Sequence, residues 1–149
     1  MVSLVQKYRK HTPQVTPLWD RTEASVQHND IDQSIVRSGL TIFTADAQAV
    51  WAGLWEPSIY DADTLWKNLH DKDKIARVIE AWEARNTLSP IFLIKHGGEN
   101  LGLVADGKHR LTVARFMGSA ELPFMLQTSD SDWVRIAIPT ARELLRTSH

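Results

Sequence analysis

The clearest periodicity in the chain lies between residues 71 and 85. There Ile75, Val78, Ile79 and Trp82 fall at i, i+3, i+4 and i+7, and charged residues fill the opposite face. That spacing predicts an amphipathic helix. Asn86 to Pro90 then reads as a turn. Ile91-Phe92-Leu93-Ile94 reads as a short strand, apolar at every position as in a sheet covered on both faces. His96-Gly97-Gly98-Glu99-Asn100 is a hairpin-like connection, and Leu101 to Ala105 is a second strand. Residues 107–117 follow as a helix closed by Gly118. A third strand, Leu122 to Leu126, tolerates Pro123 near its start or on an edge.

The flanking pattern is weaker. Residues 2–11 predict one or two helical turns before Pro13 and Pro17 interrupt. Ile31, Ile35 and Val36 would form one face of a short helix with Gly39 as its C-cap, and Leu40 to Phe43 a short strand or extended link. Thr44 or Asp46 would cap a helix running to Trp55, stopped by Pro57. Leu65, Trp66 and Leu69 sit at helical spacing between Asp61 and Leu69. Beyond a polar loop at 127–132, Trp133 to Ile138 reads equally as strand or helix, and Pro139 suits the first turn of a last helix over Thr140 to Arg146. These elements predict an α+β fold, a small mixed β-sheet flanked by helices. The 149 residues suit a single domain, 1–149, without repeat or linker.

Composition narrows the function classes. Seventeen Lys and Arg against 18 Asp and Glu argue against coating nucleic acid by bulk charge, while a local basic patch stays open. The absence of cysteine removes disulfides, thiolate chemistry and cysteine metal sites. The six histidines show no HxxxH or HxH spacing, which argues against a zinc site. The first ten residues lack an apolar signal-peptide core, and the longest apolar run, Ala49 to Trp55, is far short of a membrane span. The chain therefore reads as cytoplasmic, with no membrane partner and with no sign of its oligomeric state.

The candidate chemistry gathers at Asp106-Gly107-Lys108-His109-Arg110, where a strand breaks and a helix begins. A helix start offers unpaired amides and the positive end of the dipole, so adjacent Lys108, His109 and Arg110 suggest a phosphate site. Each residue has two readings. Asp106 is either the N-cap of the helix or a Mg²⁺ ligand or general base. Gly107 is either an ordinary turn glycine or the residue that lets phosphate approach the backbone. His109 would bond a phosphate oxygen or shuttle a proton, or be structural. Arg110 would hold phosphate in a bidentate manner, or pair with Asp106 or Glu99. Lys108 binds phosphate or faces water. Arg115 extends the basic rim or is solvated, and His96 and Glu99 close over a ligand or form a polar loop. Glu80 and Glu83 read as solvated. A base for phosphoryl transfer would be one of Asp106, Glu23, Asp30 and Glu99.

Ser89-Pro90-Ile91-Phe92-Leu93, Ala105-Asp106-Gly107-Lys108-His109-Arg110-Leu111, Ala114, Gly118 and Leu122-Pro123 together resemble the core of the ParB/sulfiredoxin-like superfamily. The resemblance spans about residues 73–127 and leaves 1–72 as a mostly helical N-terminal elaboration. It implies a nucleotide phosphate held at the turn by Gly107, His109 and Arg110, with ATP or ADP as ligand in the sulfiredoxin-like branches and CTP in the ParB branch. Two departures limit it. Lys108 stands where sulfiredoxin needs a cysteine, which excludes that reductase chemistry, and too little chain follows Leu126 for the helix-turn-helix domain of a partition ParB. Three functions remain open. One is a nucleotide- or phosphate-binding protein, with phosphoryl transfer or nucleoside-triphosphate hydrolysis assisted by Mg²⁺. Another is a DNA-associated module whose basic surface would use Lys108, Arg110, Arg115 and the N-terminal Lys7, Arg9 and Lys10. The last is a metal-dependent nuclease.

Overall fold

A computed structural model describes residues 2–27 and 31–147. Five strands form one mixed sheet in the order β3-β2-β4-β1-β5: β1 Leu40–Asp46, β2 Ile91–Lys95, β3 Gly102–Asp106, β4 Glu121–Gln127 and β5 Arg142–Arg146. Only β2 and β4 run parallel, and every other neighbouring pair is antiparallel. Pro123 sits near the start of β4, before the Ile91–Phe124 pair opens the β2 ladder, so its missing N–H breaks no bond to β2.

Both faces of the central strands are covered, β2 over Ile91 to Leu93 and β4 over Leu122 to Leu126. Ile94, expected to be buried with the rest of its run, is instead 39% exposed, and β5 is largely exposed. One face carries Ala45, Ile91, Leu93, Leu122, Phe124 and Leu126 against α4 (Ala47–Ala52), α5 (Lys72–Glu83), α6 (Lys108–Phe116) and α7 (Val134–Ala137). The other face carries Leu40, Ile42, Phe92 and Met125 under α2 (Glu23–Gln27) and α3 (Gln33–Ser38), which contribute Val26 and Val36. The period of two in β1 divides its residues between these two cores.

The N-terminal part is woven into this unit. Besides supplying β1, it lays α1 (Leu4–Lys10) on α5, where the Tyr8 hydroxyl donates to Glu83 at 2.7 Å. Burial and the Glu83 carboxylate push the Tyr8 hydroxyl well above its usual range. The Trp82 indole N–H donates to the Leu18 carbonyl at 2.8 Å, and Trp19 meets the Trp82 ring edge-on. The boundary drawn at residue 73 is therefore not a structural one.

Several expected elements are corrected. The helix expected to run to Trp55 spans only Ala47–Ala52 and ends at Gly53. Thr44 belongs to β1 and donates to Glu121 at 2.6 Å, and Asp46 holds the N-cap position without a side-chain bond. Between Asp61 and Leu69 the chain makes short turns, with a 3-10 segment at Ala62–Thr64, because the Thr64 hydroxyl donates to the Asp61 carbonyl and closes the first turn. The helix expected over Thr140 to Arg146 is instead the edge strand β5. It satisfies the outer backbone of β1, and Thr147 anchors its end through N–H donation to the Leu40 carbonyl at 2.8 Å.

Candidate functional site

β3 ends at Asp106 and α6 begins at Lys108, with Gly107 between them at φ +98°. That left-handed conformation favours glycine. The space does too, because a Cβ here would lie 3.1 Å from Ile91 Cα and 2.8 Å from a terminal nitrogen of Arg110. Gly107, rather than Asp106, holds the N-cap position, and no side chain caps the helix. The left-handed turn leaves Asp106 one residue too early to reach the first amides. Its carboxylate instead accepts from Arg110, four residues on, at 3.3 Å, and the same guanidinium nitrogen reaches the Pro90 carbonyl at 3.4 Å. The alternative partner of Arg110, Glu99, is not used.

The start of α6 opens on a cavity of about 230 Å³. Gly107, His109, Arg110 and Asp106 form one side, and Lys74, Arg77 and Val78 of α5 form the other. Three cationic side chains against one carboxylate make its wall net positive. Lys74 and Arg77 were not singled out from sequence, where the polar side of α5 reads as solvated. Their spacing of three does place them on one helix face.

His109 is held by a backbone donor. The Asp71 N–H points at its Nε2 at 3.2 Å, so that nitrogen is unprotonated and the ring proton sits on Nδ1. Burial, followed by His70, Lys108 and Lys74, lowers its pKa to about 4, with Asp71 opposing weakly. His109 is thus neutral near pH 7, with Nδ1–H as a donor. The ring of His70 meets it edge-on at 5.9 Å. Thr64 holds His70 Nε2 at 3.1 Å, and burial and then Lys108 lower its pKa as well.

The other sequence candidates are placed elsewhere. The Lys108 ammonium donates to the Leu69 carbonyl at 2.6 Å and does not line the cavity, so only its backbone belongs to the helix start. Arg115 lies over the Trp51 ring at 4.5 Å and pairs with Asp61 at 3.3 Å, so it does not extend the rim. His96 stacks on Trp55 at 4.3 Å, and the hairpin tip carrying His96 and Glu99 is at the far end of the β2–β3 ladder from Gly107, so neither closes over the cavity. Glu23 lies on α2, under the opposite face of the sheet. Glu80 is exposed, and Glu83 binds Tyr8. Asp30 lies outside the described residues. Among the described residues no group of three or more His, Asp or Glu gathers as metal ligands, and no helix is long and apolar enough to cross a membrane.

No protein-family model, curated protein or solved structure matches the chain.

Proposed function

We propose that the chain is a phosphate-binding protein that holds the phosphate end of a nucleotide at the start of α6. The observation that carries this reading is the uncapped helix start, which with its own His109 and Arg110 faces Lys74 and Arg77 across one small cavity. Free amides, a helix dipole and side-chain cations all favour the same kind of ligand. The volume, about 230 Å³, is below the roughly 300–1,000 Å³ of pockets that enclose a whole small molecule. It suits phosphate groups, with the nucleoside outside.

The finer reading is phosphoryl transfer or nucleoside-triphosphate hydrolysis. Neutral His109 donates Nδ1–H to a phosphate oxygen, a role that its low pKa suits better than that of a base at neutral pH. Asp106 is the carboxylate on the cavity wall and serves as the base or as a ligand to Mg²⁺. One carboxylate fits a hard cation held mainly by phosphate oxygens and water, and such an ion would neutralise charge on the phosphates. A nucleic-acid surface has weaker support, since Lys108 and Arg115 are engaged within the chain.

Titration calorimetry with ATP, ADP, CTP, GTP and pyrophosphate, with and without Mg²⁺, tests the reading. Saturable binding that weakens in Lys74→Ala and Arg110→Ala is expected. Absence of binding by every one of these ligands overturns it.

A further inference from the structure

A larger cavity, of about 560 Å³, opens between β1, β5 and the 128–139 segment and shares no residue with the one at α6. Its volume lies in the range of sites that enclose a small molecule. Phe43, Pro139 and Ala141, each at least partly exposed, give it an apolar surface, and Val134 and Ile138 border it as buried side chains. Phe43 is stacked on Phe124 at 5.6 Å, and Val134 and Ile138 are buried, so these side chains are already fixed.

The wall is also anchored from behind. Trp133 lies so close over Gly102 that a Cβ there would come within 2.6 Å of its ring, and Ile138 would meet a Cβ on Gly53 at 2.5 Å. Two glycines thus let the segment between Trp133 and Ile138 dock tightly on the core. A site built on such a segment loses little freedom when a ligand arrives.

The polar lining is balanced. It carries two guanidinium groups, Arg135 and Arg146, and two carboxylates, Asp132 and Glu143. Arg146 and Glu143 satisfy each other, with Nε donating to Oε1 at 2.9 Å. Asp132 and Arg135 are three residues apart at α7, yet they form no ion pair with each other or with any other described residue. One unpaired cation and one unpaired anion therefore stand beside an apolar surface. An inorganic anion would find Arg135 but also the Asp132 charge. A purely apolar molecule would use neither charge. A ligand with both charges and an apolar group uses every part of the lining.

We propose that this cavity binds a free α-amino acid with an apolar or aromatic side chain. Its carboxylate pairs with Arg135, its ammonium with Asp132, and its side chain packs on Phe43, Pro139 and Ala141. The site is independent of the phosphate site at α6.

The full chain, labelled with ¹⁵N, is titrated with L-phenylalanine and L-leucine and followed by amide chemical shifts. Saturable shifts are expected at Phe43, at residues 131–138 and at Glu143. Asp132→Asn and Arg135→Gln, both at exposed positions that leave the fold intact, each weaken binding about tenfold or more. N-acetyl-L-phenylalanine amide, which lacks both charges, gives no saturable shift. The proposal is overturned by no saturation at tens of millimolar ligand, by shifts that map elsewhere, by variants that bind like the native chain, or by equal binding of the uncharged analogue.

Discussion

The backbone N–H of Asp71 donates to Nε2 of His109 at 3.2 Å, and this bond ties the start of α5 to the start of α6. Asp71 is itself the N-cap of α5, its carboxylate accepting from the amides of Asp73 and Lys74. Those amides hold the Asp71 carboxyl below its usual range, so it stays ionised. The bond needs His109 unprotonated on Nε2, which makes the junction of the two helices sensitive to acid.

Stability falls between pH 6.5 and 4 for this reason. In the unfolded chain His109 titrates near 6.5, and in the fold at about 4. Within that window the unfolded state binds a proton that the folded state refuses, so the contribution is complete above 6.5 and is lost as the pH drops towards 4. Discounted for partial exposure, it amounts to roughly 1–2 kcal/mol. His70, also lowered, acts with the same sign. Urea unfolding at pH 7 and at pH 4.5 measures the fall, and His109→Gln makes it smaller.

Arg110→Ala removes both the partner of Asp106 and a cation from the cavity wall. Pyrophosphate affinity should fall at least about tenfold, the equivalent of one charge-assisted bond. Stability should fall by about 1 kcal/mol, since the ion pair, with side chains 19% and 34% exposed, is still partly open to water. Calorimetry and thermal unfolding read the two effects separately. Retained affinity would remove Arg110 from the site.

Gly107→Ala forces a side chain into a left-handed conformation and against Ile91 Cα at 3.1 Å. A loss of about 1–3 kcal/mol is expected from strain and displacement together. Thermal unfolding measures it. An unchanged midpoint would mean that the turn relaxes readily into another conformation.

Gly102→Ala sets a methyl group within 2.6 Å of the Trp133 ring. The indole is buried and must shift, which costs about 1–3 kcal/mol. Tryptophan fluorescence alongside thermal unfolding reports both the movement and the cost.

Much of the fold was legible because long periodic segments leave little choice. The apolar positions of α5, Ile75 to Trp82, are buried as expected, and Gly39 and Gly118 end their helices with positive φ. The last strand was not legible. Arg142-Glu143-Leu144-Leu145-Arg146 has only two apolar residues, and it is a strand because β1 offers it an unpaired edge 100 residues away in sequence, a cause no local window contains. The Asp-Gly break does fall at the corner between β3 and α6, which borders a cavity. Lys74 and Arg77 escaped notice because only the packing of α5 against α6 brings them there. Lys108 was overvalued for the same kind of reason, since the carbonyl of Leu69 that takes its ammonium is distant in sequence.

The placement of β1 between β4 and β5 governs the order in which the molecule can be assembled. Residues 40–46 leave the ribosome early, yet their ladder partners are residues 121–127 and 142–146. Until those arrive, β1 has both backbone edges bare, a template for pairing with other chains, although α2 and α3, which cover Leu40 and Ile42, are already made. Contacts so far apart in sequence also slow the search for the native state. α5, the β2–β3 hairpin and α6 can form beforehand, so synthesis yields the half that carries the α6 cavity first and closes the sheet only when the final strand emerges.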